Sequence, residues 1–293
     1  MRHIILIDLE GASGVYNQQQ CSTGTKQWYK AKKYLTDNVN AVVKGIYSID
    51  DNAKIVVRDL HNQGYNIHRN HLPKTVRYIG GPYHKPIMWF GDLRNFDLAF
   101  MIGIHARSGT LGFQPHTQSL DFSEVKINNK PICEAEFTAS LITENISPPY
   151  PIGFVSGEKI AIEQVKESLP WVVSVQIQKD NPNNDFIKKI ALENESISQK
   201  ARMTIKNKSK FRLFQFDLPL NIEISYHDSN LVKKVAKRWK MILEDDHQTL
   251  MFVVSDTQAF IQRVVEIMYL TPKTKFFIPL TPLLRPLYRL LAS

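Results

Sequence analysis

Cysteine is scarce in this chain: Cys21 and Cys133 are the only two among 293 residues. Two thiols exclude a disulfide-stapled scaffold, and without an export signal both are expected to be reduced. Long apolar runs are also missing. Those present, such as Leu98 to Ile104, fall far below the roughly 20 residues that a helix needs to cross a bilayer, so no membrane span is expected. At the N-terminus only four apolar residues, Ile4 to Ile7, stand between Arg2-His3 and Asp8-Leu9-Glu10. That is too short for a signal-peptide core, and a cytoplasmic location follows by default.

The formal net charge is +9, densest in Lys206 to Arg212 and Lys233 to Lys240. No nucleic-acid module signature accompanies these clusters, so they read as a lysine-rich linker and a solvated helix face, and nucleic acid is not an expected partner. What the chain does have is apolar material for a core, 43% of its residues, which excludes intrinsic disorder.

The first segment, His3 to Ile7, reads as a buried strand running straight into Asp8-Leu9-Glu10-Gly11. From Lys26 to Tyr47, Ala31, Leu35, Val39, Val42 and Ile46 recur at three- and four-residue steps and predict one helix. Further strands are predicted at Ile55 to Val57, ending in Arg58-Asp59-Leu60-His61, at Phe96 to Ile102, ending in Gly103-Ile104-His105, and at Ile152 to Val155. An Asn128-Asn129 turn between short extended runs predicts a hairpin, with a helix beginning near Glu134. The expected fold is α/β, a three-layer sandwich around a mainly parallel sheet. Residues 1–160 would form the metal-binding core. Residues 161–293 would supply linker helices, among them an exposed stretch from Asn181 to Lys210, a small α+β subdomain and an apolar tail from Phe276 to Leu290.

Three predicted strands thus end in residues able to bind a metal: Asp8 and Glu10, then Asp59 and His61, then His105. In open α/β sheets, ligands bind beyond the carboxyl ends of the strands, so side chains distant in sequence converge there. Glu134 could complete the set, and mixed oxygen and nitrogen donors suit zinc and its neighbours.

The order of Ile7-Asp8-Leu9-Glu10-Gly11, Arg58-Asp59-Leu60-His61, Gly103-Ile104-His105-Ala106-Arg107 and Pro115-His116-Thr117 resembles the zinc-dependent D-aminopeptidase family, the dipeptide-operon aminopeptidases of peptidase family M55. The resemblance implies two zinc ions per subunit bridged by Asp8, one shared with Glu10 and His105, the other with His61 and Glu134. It also implies His116 as the catalytic histidine, a metal-bound hydroxide as nucleophile, a short peptide as substrate and a ring-shaped homo-oligomer. Asp59 and Arg107 are candidates for supporting the donors, and Glu136 for holding a substrate ammonium group, although a glutamate in a first helical turn is also favoured by the helix dipole. Cys133, Ala135 and Glu136 flank Glu134 where the family favours small residues, which leaves the substrate open. A metal-dependent amidohydrolase acting on a non-peptide amide is the second reading, and a non-catalytic basic protein that binds polyanions is the third.

Overall fold

Ile4 to Ile7 form the middle of a sheet because both faces of this strand are apolar: Ile5 and Ile7 enter one hydrophobic cluster, Ile4 and Leu6 the other. A strand covered on both sides belongs inside a parallel sheet. The computed structural model describes residues 1–81, 87, 89–179, 181–244, 246 and 248–269, the side chain of Tyr269 excepted. The expected tail from Phe276 to Leu290 lies outside them.

In chain order the elements are β1 (Arg2–Ile7), α1 (Lys26–Tyr47), β2 (Lys54–Asp59), β3 (Arg77–Ile79), β4 (Leu98–Ile104), β5 (Phe122–Ile127), β6 (Lys130–Pro131) and α2 (Glu134–Asn145). Then come β7 (Ile152–Glu158), α3 (Lys159–Ser168), β8 (Val173–Ile177), α4 (Phe186–Lys206), β9 (Leu220–Tyr226), α5 (Ser229–Trp239), β10 (Ile242–Leu243), β11 (Thr249–Val254) and α6 (Thr257–Tyr269). Six strands form a parallel sheet in the order β3-β2-β1-β4-β7-β8. The donor-bearing strands are therefore neighbours: β1 lies between β2 and β4, with His3 opposite Ile55 on one side and Leu98 on the other.

Helix α1 has the predicted bounds, starting where the Thr25 hydroxyl accepts from the Trp28 amide at 3.0 Å. Its partner is a correction. The region from Asn181 to Lys210, expected as exposed helix and linker, contains α4, which packs along α1 through buried Ile197, Ala201 and Ile205. Gly45 permits the approach, since a Cβ there would lie 2.3 Å from the Ser198 carbonyl oxygen. The other basic cluster does decorate a solvated face: on α5, Val232, Val235 and Ala236 are buried while Lys233, Lys234, Lys237 and Arg238 are exposed.

A second sheet is antiparallel, in the order β10-β11-β9-β5-β6. The turn between β5 and β6 places Asn128 and Asn129 at φ 51° and 65°, the left-handed pair that a two-residue hairpin favours. Each sheet draws strands from both sides of residue 160: β8 completes the first, and β9 pairs with β5 in the second. No helix among the described residues is long and apolar enough to cross a membrane.

His3 gives the core a pH dependence. It is buried against Phe100 and neither ring nitrogen has a hydrogen-bond partner. Burial, partly offset by Asp97, lowers its pKa from 6.5 to about 4. The unfolded chain thus takes up this proton first, so the associated stability is present above pH 6.5 and is lost as pH falls toward 4. From that shift the loss amounts to about 3 kcal/mol. In His3→Leu the decline in urea midpoint between pH 6.5 and 4 is expected to be shallower than in the parent; identical slopes would remove His3 as its source.

Candidate metal centre

The residues after β1, β2 and β4 meet at the carboxyl edge of the sheet, and two glycines let them. An added Cβ on Gly11 would lie 1.9 Å from the Ile104 carbonyl oxygen, and one on Gly103 would lie 2.0 Å from that of Asp8. Gly103 also sits at φ +79°, where a side chain is strained. The Asp8 amide donates to the Ile102 carbonyl and the Gly11 amide to the Gly103 carbonyl, both at 2.8 Å. Gly103→Ala is therefore expected to force the two strand ends apart, reducing metal content and destabilising the fold by about 2 kcal/mol or more. Thermal unfolding with elemental analysis checks this, and parental values in both would exclude the role.

At this edge His61 Nδ1 lies 3.1 Å from Asp8 and 2.9 Å from Glu10, while His105 Nε2 lies 3.2 Å from Asp8 and 3.8 Å from Glu134. Each imidazole has its other nitrogen engaged. His61 Nε2 donates to the Cys21 carbonyl at 2.9 Å and His105 Nδ1 to the Ala106 carbonyl at 3.0 Å. A backbone acceptor fixes the tautomer and turns the remaining lone pair toward the carboxylates, as metal-binding histidines commonly require. Glu10 Oε2 is buried, and its partner is the His61 ring nitrogen at 2.9 Å; a buried carboxylate needs such a compensating positive charge, from an imidazolium or a metal cation. Ligand atoms of Asp8, Glu10 and His105 lie within 4.8 Å of one another, as do those of His105, His116 and Glu134.

The cluster's electrostatics point the same way. Burial acts to lower the pKa of His105, yet the Asp8 hydrogen bond and the charges of Asp8, Glu134 and Glu10 raise it to about 10. Burial likewise opposes, and Glu10 and Asp8 override, the shift that places His61 well above its ordinary value. For Asp8, burial acts upward but hydrogen bonds with His105 and His61 hold the carboxyl well below the usual range. The carboxylates at this edge thus favour positive charge beside them, as a proton on either ring or as a bound cation.

His116 stacks on His105, with ring centroids 3.9 Å apart and planes inclined by 9°. Its Nδ1 donates to the Gln114 carbonyl at 2.9 Å, leaving Nε2 without that constraint. Gln114 and Gln118, on either side, hold φ of 49° and 66°, and the Gln118 amide donates to Glu134 Oε1 at 2.7 Å. Such backbone conformations concentrate at functional loops. All six residues line one cavity of about 440 Å³.

The other candidates are placed elsewhere. Asp59 reaches neither the His61 ring nor Arg107: its carboxylate accepts from the Asn66 amide, the Asn66 side chain and the Tyr78 hydroxyl at 2.6 to 2.9 Å. Asn66 in turn donates to the His61 carbonyl, so Asp59 holds the backbone beneath His61. Arg107 pairs with Glu167 at 3.3 Å and does not line the cavity. Glu136 is not available to a substrate ammonium group. It accepts from the Cys133 amide at 2.7 Å and from the Ser168 hydroxyl, so it closes the start of α2. Cys21 and Cys133 are buried free thiols, and burial pushes the Cys133 pKa well up, which disfavours the thiolate. His68, His71 and His227 do not line the cavity, and His84 and His247 lie outside the described residues.

Three supporting residues went unread in the sequence. Lys179, half-buried and with its pKa lowered to about 8 by desolvation, donates to the carbonyls of Glu10, Ala12 and Val15 at 2.7 to 3.1 Å. Glu158 accepts from the Ala106 and Phe113 amides at 2.8 and 2.9 Å, which fixes the loop after His105. Asn66 is the third. No local pattern marks any of them, since each is a lone polar residue that finds backbone partners only after folding.

Comparison with known proteins extends the account. The sequence model of the D-aminopeptidase family, peptidase M55, matches residues 1–265. A D-aminopeptidase of Bacillus subtilis (strain 168) is 22% identical over 214 residues, which cover 72% of this chain and 76% of the relative. A solved structure from Bacillus subtilis, described as a zinc-dependent D-aminopeptidase and a self-compartmentalizing protease, superposes with a TM-score of 0.80. It does so at 18% identity over 91% of this chain and 96% of that one.

Proposed function

The chain belongs to the D-aminopeptidase family, peptidase M55, and from that premise we propose that it is a zinc-dependent aminopeptidase holding two ions per subunit. One ion would be held by Asp8, Glu10 and His105, whose ligand atoms lie within 4.8 Å of one another, and the other by Asp8, His61 and Glu134. His61 Nδ1 also approaches Glu10 at 2.9 Å and His105 Nε2 approaches Glu134 at 3.8 Å, so the two sets adjoin. The observation that carries the reading is the pair of imidazoles, each anchored through one nitrogen to a backbone carbonyl and aimed through the other at a shared aspartate.

Zinc held there would supply a hydroxide nucleophile near neutral pH and a Lewis acid for the scissile carbonyl. The chain's residues do the rest. Lys179 and Glu158 fix the loops carrying Glu10 and His105, so the donors need not reorganise when a substrate binds. His116, held by stacking and by its Nδ1 bond, presents Nε2 to the cavity, where it delivers a proton to the departing amine or steadies negative charge on the carbonyl oxygen. The relative described as self-compartmentalizing supports a closed homo-oligomer as the working assembly here, which light scattering on the purified protein would measure.

The test combines metal analysis with a substrate panel. Two zinc ions per chain are expected, with release of free amino acid from D-alanyl peptides that chelation abolishes and zinc restores. Activity confined to N-acyl amides would move the protein to the amidohydrolase reading. Peptide cleavage indifferent to chelation would end the metal mechanism.

A further inference from the structure

The cavity that holds the six polar residues has a second wall built from other elements. Trp89 and Phe90 come from the turn before β4, Val165 from α3, Val265 and Met268 from α6, and Leu60 from the end of β2. Apart from Leu60, which precedes His61, none of these lies next to a metal donor. Trp89 is held there at a price in backbone strain, since it is a bulky residue at φ 71°, a conformation that non-glycine residues keep only when their surroundings enforce it.

The enforcement comes from Arg58. Its guanidinium is buried and donates through Nε to the Trp89 carbonyl at 2.8 Å, through Nη2 to the same oxygen, and through Nη1 to the carbonyls of Gly81 and Ile79 at 2.9 and 3.2 Å. A planar fork with five N–H donors can bridge carbonyls in this way, and a lysine cannot. Arg58 lies on β2, three residues before His61. The strand that leads to His61 thus also holds the backbone of Trp89, which lines the same cavity.

We propose that this wall is a specificity subsite for a large apolar side chain, branched aliphatic or aromatic, on the residue whose amide is cleaved. Trp89 contacts that side chain and Arg58 is its positioning residue. The proposal rests on the aminopeptidase reading. A cavity of about 440 Å³ lies within the size range of pockets that enclose small organic ligands, roughly 300–1,000 Å³. An alanyl methyl group would leave most of the wall facing water, whereas a leucyl or phenylalanyl side chain would cover it.

The experiment uses the zinc-loaded protein with D-alanyl, D-leucyl and D-phenylalanyl p-nitroanilides and their L counterparts. Discrimination in apolar pockets runs to about 10-fold or more per added group, so kcat/KM for the larger side chains is expected to exceed that for alanyl by at least this factor. Trp89→Ala is expected to collapse the ratio mainly through KM, Trp89→Phe to keep most of it, and Arg58→Lys to lower it with zinc content intact. A readout independent of turnover is calorimetric binding of D-phenylalaninol against D-alaninol to chelator-treated protein, where the preference for the former should fall in Trp89→Ala. If Arg58→Lys does not fold, the two Trp89 variants decide. Cleavage with alanyl preferred, or Trp89→Ala lowering all substrates equally, overturns the subsite and leaves the peptidase reading standing. Inertness of every anilide in the zinc-loaded protein counts against the peptidase reading, and the alaninol comparison then decides the subsite by itself.

Discussion

Asp8→Ala is expected to purify without a stable complement of either ion and to lose about 10³-fold or more in kcat/KM, since metal assistance supplies several kcal/mol and each 1.36 kcal/mol is tenfold in rate. The reason is its position between both imidazoles, at 3.1 Å from His61 and 3.2 Å from His105. Removing one oxygen-bearing side chain takes a donor from both proposed ions and one hydrogen-bond partner from each ring. Replacing Glu10 or Glu134 affects one proposed ion and is expected to leave the other. Elemental analysis of the three variants separates a shared donor from independent ones. One ion retained in Asp8→Ala, with the second lost only in Glu10 or Glu134 variants, would show that Asp8 is not the bridge.

His116→Ala is expected to behave in the opposite way, keeping both ions while kcat falls by about 10²- to 10⁴-fold, the range usual for a lost general acid or base. Its Nδ1 is occupied by the Gln114 carbonyl and its ring lies flat against His105. It therefore faces the reacting centre without being needed to close either proposed donor set. The distinction is sharp because His116 also falls within ligand range of His105 and Glu134. Loss of an ion in His116→Ala would make it a ligand, and parental turnover with both ions present would leave it without a role in the reaction.

Much of this centre could be read before folding because the donors follow strands, and strands announce themselves. Ile4 to Ile7 and Leu98 to Ile104 are apolar on both faces, so the polar residues after them had to sit at a sheet edge. Helix α1 was equally plain, with its apolar positions on a single stripe. Helix α4 was not: Ile190, Ile197, Ala201 and Ile205 are diluted among lysine, glutamate and asparagine, and the glycine that admits the helix, Gly45, belongs to α1. Asp59 shows the same limit from the other side. Its place two residues before His61 suggests support of that donor or of Arg107, and the support it gives is indirect, because the turn at Asn66 intercepts it.

Glu134 stands at the start of α2, directly after the hairpin of β5 and β6, and that hairpin is completed by β9, with Val125 opposite Ile224. All five proposed donors have been synthesised by residue 134, yet the strand that braces the last of them arrives much later. A chain emerging from the ribosome therefore owns the full set of proposed ligands long before it owns the scaffold that spaces them. The centre inherits the slow, long-range step of folding, and hydrolytic competence is deferred until β9, residues 220–226, has been made.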